Sequence, residues 1–370
     1  MKFVDLDAQF RRLETDIRGA IDAVFAHGQY IMGPEVYALE DELAEYCGAG
    51  HVVSAASGFD ALLMSLMSYG VGPGDAVIVP SFTFVATAEV IQLLGATVVF
   101  VDVEAATFNI DVNRLEETVG RIRRQGRINL RGIIPVDLFG LPADYGAISE
   151  IAARHDLFVL ADSAQSFGGG REGRRVGTFG DLAATSFFPA KPFGCYGDGG
   201  AVFTDDGERA EVLRSIRFHG MGTSQYDNVR TGITGRLDTI QAAVLRCKLK
   251  VLDDEIAARQ KVAERYTRRL ADLVATPVIP ANCTTTWAQY TLRSTERDRI
   301  RKVLDDGGIP SAVYYPCPLH RQPAYSGAVG AGVSLPVSDL LANEVFSLPM
   351  HPYLEPSDQD RIIDTIRRAF

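Results

Sequence analysis

The stretch that decides the fold is LFVLADSAQSFGGG (157–170), followed by DLAATSFFPAKPFGCYGDGGAVFT (181–204). LFVLAD is a short, almost wholly apolar run ending on Asp162, as expected for a strand buried on both faces with an acid at its carboxyl end. In α/β sheets that end is where ligands bind. Three residues on stands Gln165, and a glycine cluster follows at Gly168, Gly169 and Gly170. The second run delivers a hydroxyl, Ser186, and a lone lysine, Lys191, before glycines that let the backbone bend tightly.

An acid, an amide, a hydroxyl and a lysine carried on strand ends match the needs of pyridoxal phosphate. That cofactor takes a Schiff-base lysine and a carboxylate that keeps its pyridine nitrogen protonated. On the residues alone, Lys191 also reads as a solvated surface lysine, and Asp162 as a helix-capping acid.

Alternation of short apolar runs and helical patterns extends outward from this stretch. HVVSAAS (51–57), AVIVP within 71–84, ATVVFVDVE (96–104) and RGIIPVDLFG (131–140) read as buried strands. Helical spacing over 12–27, 35–48 and 58–70 separates or precedes them. The pattern predicts a mainly parallel sheet with helices on both faces. Between HVVSAAS and GFDALLMSLMSYG, Ser57, Gly58 and Phe59 form a strand-to-helix turn. Its helix N–H groups suit an anion, although an ordinary turn looks the same. Residues 237–273 contain neither proline nor glycine and predict one long helix or two closely joined ones. Beyond them, the strand-like WAQYTLR (287–293), the apolar segments SAVYYP (311–316) and EVFSLPM (344–350), and a final helix depart from the repeated unit. A division into a large domain, 1–247, and a smaller α/β domain, 248–370, is expected.

The bulk numbers agree with a globular enzyme: 370 residues, 46% hydrophobic, net charge −10. The acidic balance argues against a nucleic-acid surface. No stretch approaches the roughly 20 apolar residues of a membrane helix, and the N-terminus has no signal-peptide core. The odd cysteine count of five and the absence of a CxxC pair point to reduced thiols in the cytoplasm. No metal-ligand spacing is present, so no metal is expected.

ADSAQSFGG (161–169), SFFPAKPFGCYGDGGAVFT (186–204) and GRLDTIQAAVLRCKL (235–249) together resemble the DegT/DnrJ/EryC1/StrS family of nucleotide-sugar aminotransferases. The likeness runs from FVDLDAQ (3–9) to SLPMHPYL (347–354). HGQYIMGPEV (27–36) and SLPMHPYL look most like the subgroup that aminates a UDP-3-keto-N-acetylglucosaminuronic acid.

The resemblance implies the fold-type I architecture of pyridoxal phosphate transferases, with a seven-stranded sheet and a smaller C-terminal domain. It makes Lys191 the Schiff-base lysine and general acid/base, and Asp162 the partner of the pyridine nitrogen. Gln165 then lies near the ring hydroxyl, Ser186 at the phosphate, and Phe84 (in SFTF, otherwise plain core) on the ring face. Arg236 in GRLDT matches an arginine that reaches across a homodimer toward an anionic substrate, although a surface salt bridge is its plain alternative. Tyr315 and His320, in YYPCPLH, match positions near the sugar. The implied reaction takes an amino group from glutamate to C3 of the UDP-uronic acid, or to C3 or C4 of a dTDP- or UDP-keto-deoxysugar. The product would serve lipopolysaccharide, another surface glycan or a glycosylated metabolite. A related dehydratase branch has histidine in place of the lysine, which Lys191 argues against. A silent cofactor-binding regulator is the other alternative.

Two departures from the family pattern bear on the cofactor. Ser57-Gly58-Phe59 stands where relatives carry Asn-Gly-Thr, and Thr234 where they often have an asparagine contributed by the partner subunit. Each missing donor is expected to weaken phosphate binding by about 0.5–1.5 kcal/mol. The purified protein should therefore shed cofactor during long dialysis, followed by absorbance, and full occupancy afterwards would contradict the deficit.

Overall fold

In the computed structural model, which describes residues 1–224, 226–329 and 334–370, a seven-stranded sheet runs through the larger part of the chain. Its strands are His51–Ala55, Asp75–Pro80, Thr97–Val101, Asn129–Ile133, Phe158–Asp162, Leu182–Ser186 and Gly200–Thr204. In spatial order they run 51–55, 200–204, 182–186, 158–162, 129–133, 75–80 and 97–101. Every pairing is parallel except the two made by 200–204, which enters the sheet in reverse. Strands 75–80 and 158–162 are buried at every position. Apolar side chains on both faces of such strands are covered by helices, hence the continuous apolar runs.

This topology decides where chemistry can sit. The parallel strands end on one edge, and the reversed strand begins there. Gly200 pairs with both Ala55 and Ser186, and Asp162 pairs with Ala184. Residues far apart in the chain, from Ser57 to Phe84, Asp162 and Lys191, are thereby collected along one rim.

Several elements differ from the sequence expectation. The first helix spans Leu6–His27 rather than starting at residue 12, because Asp5 caps it by accepting from Ala8 N at 3.0 Å. The proline-free stretch 237–273, by contrast, takes one of its two expected forms, the closely joined helices Thr239–Leu249 and Leu252–Leu270. SAVYYP forms no strand; only Ala312 bridges, to Ser347. The glycine cluster serves packing. It enters a small three-stranded sheet of Gly170–Arg171, Arg174–Arg175 and Cys283–Thr284. A Cβ at Gly169 would lie 2.7 Å from Thr284 O, and one at Gly170 2.6 Å from Arg174 O.

Residues after 260 build a core of their own. A two-stranded antiparallel sheet, Tyr290–Arg293 with Val345–Leu348, packs with the helices Arg297–Asp306 and Pro356–Arg367 around Tyr266, Ile300, Phe346 and Ile362. A buried polar seam joins this core to the N-terminal segment. Gln9 donates to Glu255 at 2.8 Å, Arg259 donates to the Trp287 and Met350 carbonyls, and Met350 N donates to Phe3 O.

His351 lies in this seam, 4% exposed. Burial, then the charge of Arg259, pushes its pKa from 6.5 down to about 4. Folded protein therefore resists protonation that the unfolded chain accepts below pH 6.5, so stability falls with pH through that window. The loss by pH 4 is roughly 3 kcal/mol at 1.36 kcal/mol per unit. His351→Gln should flatten this limb in unfolding measurements from pH 7 to 4, and the difference from wild type isolates this residue's share.

Candidate active site

Asp162 ends its strand 5% exposed. Thr87 Oγ1 donates to its Oδ2 at 2.7 Å, and Ala164 N donates to Oδ1 at 3.3 Å. Burial raises its pKa, against the lowering by Thr87, Ala164 N–H and Lys191. Lys191 responds in the opposite sense: burial lowers its pKa and Asp162 raises it. The two groups feel each other, yet among the described residues no basic nitrogen lies within 4.0 Å of the Asp162 carboxylate. A buried carboxylate without a close counter-ion is costly, and a cation brought beside it would relieve the cost.

Gln165 is fixed in a defined sense. Its Oε1 accepts from Phe139 N at 2.7 Å, so the amide nitrogen must face the other way, where Tyr315 lies. Thr286 Oγ1 donates to the Gln165 carbonyl at 2.6 Å.

Lys191 is carried by a loop tied back on itself: Phe187 N to Gly199 O, Cys195 N to Phe187 O and Lys191 N to Phe188 O, at 2.7, 2.7 and 2.9 Å. Beside its base, Ser186 meets the start of the helix Gly58–Ser68. Ser57 caps that helix, accepting from Asp60 N at 3.0 Å. The N–H groups of Gly58 and Phe59 belong to the first turn, which has no intrahelical acceptor for them. A Cβ on Gly58 would stand 2.5 Å from Ser186 Cβ, so only glycine allows this approach. The Phe59 ring itself packs against the core, leaving its backbone as the usable group. The Ser57 hydroxyl donates to Asp60 Oδ2 at 2.8 Å, so the Ser186 hydroxyl and the helix N–H groups are the donors that suit a phosphate.

Phe84 is 55% exposed, which rules against a plain core role. Its ring centroid lies 6.3 Å from that of Tyr315, which also packs on Phe82 at 6.0 Å. Burial pushes the Tyr315 hydroxyl pKa well up, and Gln165 opposes that. His320 is placed differently from the expectation. It is 4% exposed, with Nδ1 2.5 Å from Ser81 Oγ and Nε2 3.4 Å from Asp339, so it supports the SFTF loop rather than facing a ligand.

Thr234 and Arg236 flank Gly235, whose carbonyl accepts from Ala56 N at 2.9 Å. Thr234 is exposed and bonds to His219 Nε2 at 3.0 Å. Arg236 lies over the Phe218 ring at 4.8 Å, and its buried Nε has no partner among the described residues.

The arrangement fits pyridoxal phosphate at both ends: a buried acid lacking a close cation, and an anion cradle one strand away beside a half-buried lysine. Comparison with known proteins agrees. The DegT/DnrJ/EryC1/StrS aminotransferase family model matches residues 11–367. The chain belongs to this family. The UDP-2-acetamido-2-deoxy-3-oxo-D-glucuronate aminotransferase of Pseudomonas aeruginosa is 46% identical over 356 residues, 96% of each chain. A Brucella abortus DegT DnrJ EryC1 StrS aminotransferase structure superposes with a TM-score of 0.98 at 53% identity, covering 100% of this chain and 99% of that one. A Bacillus subtilis structure with bound cofactor PMP is 28% identical with a TM-score of 0.90, covering 100% of this chain and 85% of that one.

Reading from sequence missed Thr87 and Asp137. Thr87 lies 75 residues before the acid it serves, and nothing local marks it. Asp137 did carry a signal: it too is an acid at the end of an apolar strand-like run.

Gly58→Ala should cost about 1–3 kcal/mol through overpacking against Ser186. Urea unfolding of the cofactor-free protein measures this, and an unchanged midpoint would show that the helix start can move away.

Proposed function

We propose that the chain is a pyridoxal phosphate-dependent aminotransferase that moves an amino group from glutamate to a nucleotide-linked keto sugar. C3 of a UDP-3-keto-N-acetylglucosaminuronic acid is the preferred acceptor. The observation that carries the reading is the pairing of buried Asp162 with half-buried Lys191 beside the cradle of Ser57, Gly58, Phe59 and Ser186.

The cofactor supplies an electron sink and a site that carries the amino group between two substrates. The chain supplies the rest. Asp162, oriented by Thr87, would hold the ring nitrogen cationic. The Gln165 amide would serve the ring hydroxyl, Phe84 would cover the ring, and the cradle would take the phosphate. Lys191 Nζ, its pKa lowered by burial, removes the proton from the substrate carbon bearing the amine and returns one later. A less basic amine is a better match for this task near neutral pH.

The active unit we propose is a homodimer in the cytoplasm, its product used in lipopolysaccharide or another glycan. Phe25, Tyr30, Ile31 and Tyr37 are each about half exposed and form an apolar face. Ile31 bridges to Asp238, so that face adjoins the segment carrying Thr234 and Arg236. A second copy docked there would place Arg236 to bind the anionic part of the neighbour's substrate.

Wild-type protein loaded with pyridoxal phosphate should absorb near the visible edge and lose the band when glutamate is added, with 2-oxoglutarate released. Lys191→Ala should lack the glutamate response. A panel of keto sugar nucleotides should then restore the band with the UDP-3-keto-uronic acid above the deoxysugars. Restoration by none of them, or a glutamate response retained in Lys191→Ala, would overturn the reading.

A further inference from the structure

Asp137 is a buried acid that the reaction described above does not use. It is 0% exposed, and among the described residues no basic nitrogen lies within 4.0 Å of its carboxylate. Four donors converge on it instead. Ala143 N and Tyr145 Oη donate to Oδ1 at 2.9 and 2.7 Å, and Ser163 Oγ and Ser166 Oγ donate to Oδ2 at 3.1 and 2.6 Å.

The two serines bracket the functional pair: Ser163 follows Asp162 directly, and Ser166 follows Gln165. The backbone repeats the connection. Asp137 N donates to Asp162 O at 3.0 Å, Val136 bridges to Asp162, and Phe139 N donates to the Gln165 side chain at 2.7 Å. The corner 137–139 is thus stitched to the corner 162–166 at every functional position. We infer that Asp137 is a positioning residue: its carboxylate sets the direction in which Asp162 and Gln165 face the cofactor.

The geometry also says why an acid stands here. An ionised carboxylate accepts at both oxygens and offers no hydrogen to clash with converging donors. An amide of the same shape would turn an NH2 group toward one donor pair, so that pair must rotate away or remain unpaired. Loss of such outer-shell contacts characteristically costs 10–100-fold in affinity or activity without touching the ligand. Desolvation raises the Asp137 pKa to about 6, and the four donors pull against that rise, which fits a carboxylate held ionised by its neighbours.

The inference rests on the cofactor reading above, and the test separates the two. Asp137→Asn and the double variant Ser163→Ala/Ser166→Ala are titrated, as cofactor-free protein, with pyridoxal phosphate. Unfolding midpoints of the same samples and the kcat and KM of the loaded enzymes are measured in parallel. Both variants should bind cofactor at least about tenfold more weakly, the equivalent of one charge-assisted hydrogen bond. The kcat should fall while the KM for the sugar nucleotide holds, and the triple variant should lose no more affinity than Asp137→Asn alone. A lowered unfolding midpoint with wild-type cofactor affinity and wild-type kcat would make Asp137 structural only and overturn the inference. If Asp137→Asn does not fold, the serine double variant decides by the same readouts. Wild-type protein that takes up no pyridoxal phosphate would overturn the underlying reading, and this inference with it. Unchanged variants of a wild type that binds would overturn this inference alone.

Discussion

Burying a carboxylate and an ammonium at the rim of a sheet disfavours both charges, and the rest of the site follows from how that cost is met. Desolvation drives Asp162 and Lys191 toward their neutral forms, while their mutual attraction works the other way. Partial compensation comes from Thr87 and from the N–H of Ala164. What remains is an acid with room for a cation and an amine that gives up its proton readily. Those are opposite demands on two groups a short distance apart, and a strand end on one side with a glycine-braced loop on the other satisfies both.

Topology makes this affordable in conformational terms. One reversed strand, 200–204, lies between 51–55 and 182–186, so the start of the helix at Gly58 and the hydroxyl at Ser186 share an edge. The anion cradle and the acid are therefore held by the same hydrogen-bonded lattice. Neither can shift without disturbing a ladder that is buried on both faces. Precision of this kind comes from rigid elements, with loops and turns contributing Gln165, Lys191, Phe84 and Tyr315.

Much of this was legible in the sequence because both faces of the central strands are covered. Continuous apolar runs such as LFVLAD mark such strands, and an acid at the end of one has few structural reasons to be there. The same rule, though, points equally to Asp162 and Asp137, and only the fold shows which acid lacks protein donors enough to want a ligand. Thr87 was not legible because its partner is distant in the chain. The apolar residues of SAVYYP serve a packed aromatic cluster with Phe82 and Phe84, not a ladder. His320 is buried with Nδ1 held by Ser81, and nothing in the sequence distinguishes such a histidine from one that faces solvent. Tyr315, which the family likeness put near the sugar, packs against Phe82 and Phe84, contacts that periodicity does not reveal.

The site also couples distant parts of the chain. Gln165 is held from one side by Phe139 and from the other by Thr286, and Tyr315 reaches it from beyond residue 300. A ligand that needs Gln165 in place thus binds only the state in which these later segments are docked. By linkage, such a ligand stabilises that docked state by the same free energy with which docking strengthens its binding. On the proposed reaction two different substrates use this site in turn, so docking cannot be too strong. The seam at Gln9, Glu255, Arg259 and His351 is suited to this balance. It is polar and buried, and it includes the unpartnered atoms Gln9 Oε1, Arg259 Nε and His351 Nδ1. Buried polar groups left partly unsatisfied hold a junction together with less net free energy than an apolar contact of equal area. Specificity of alignment is retained, while the strength of attachment stays moderate.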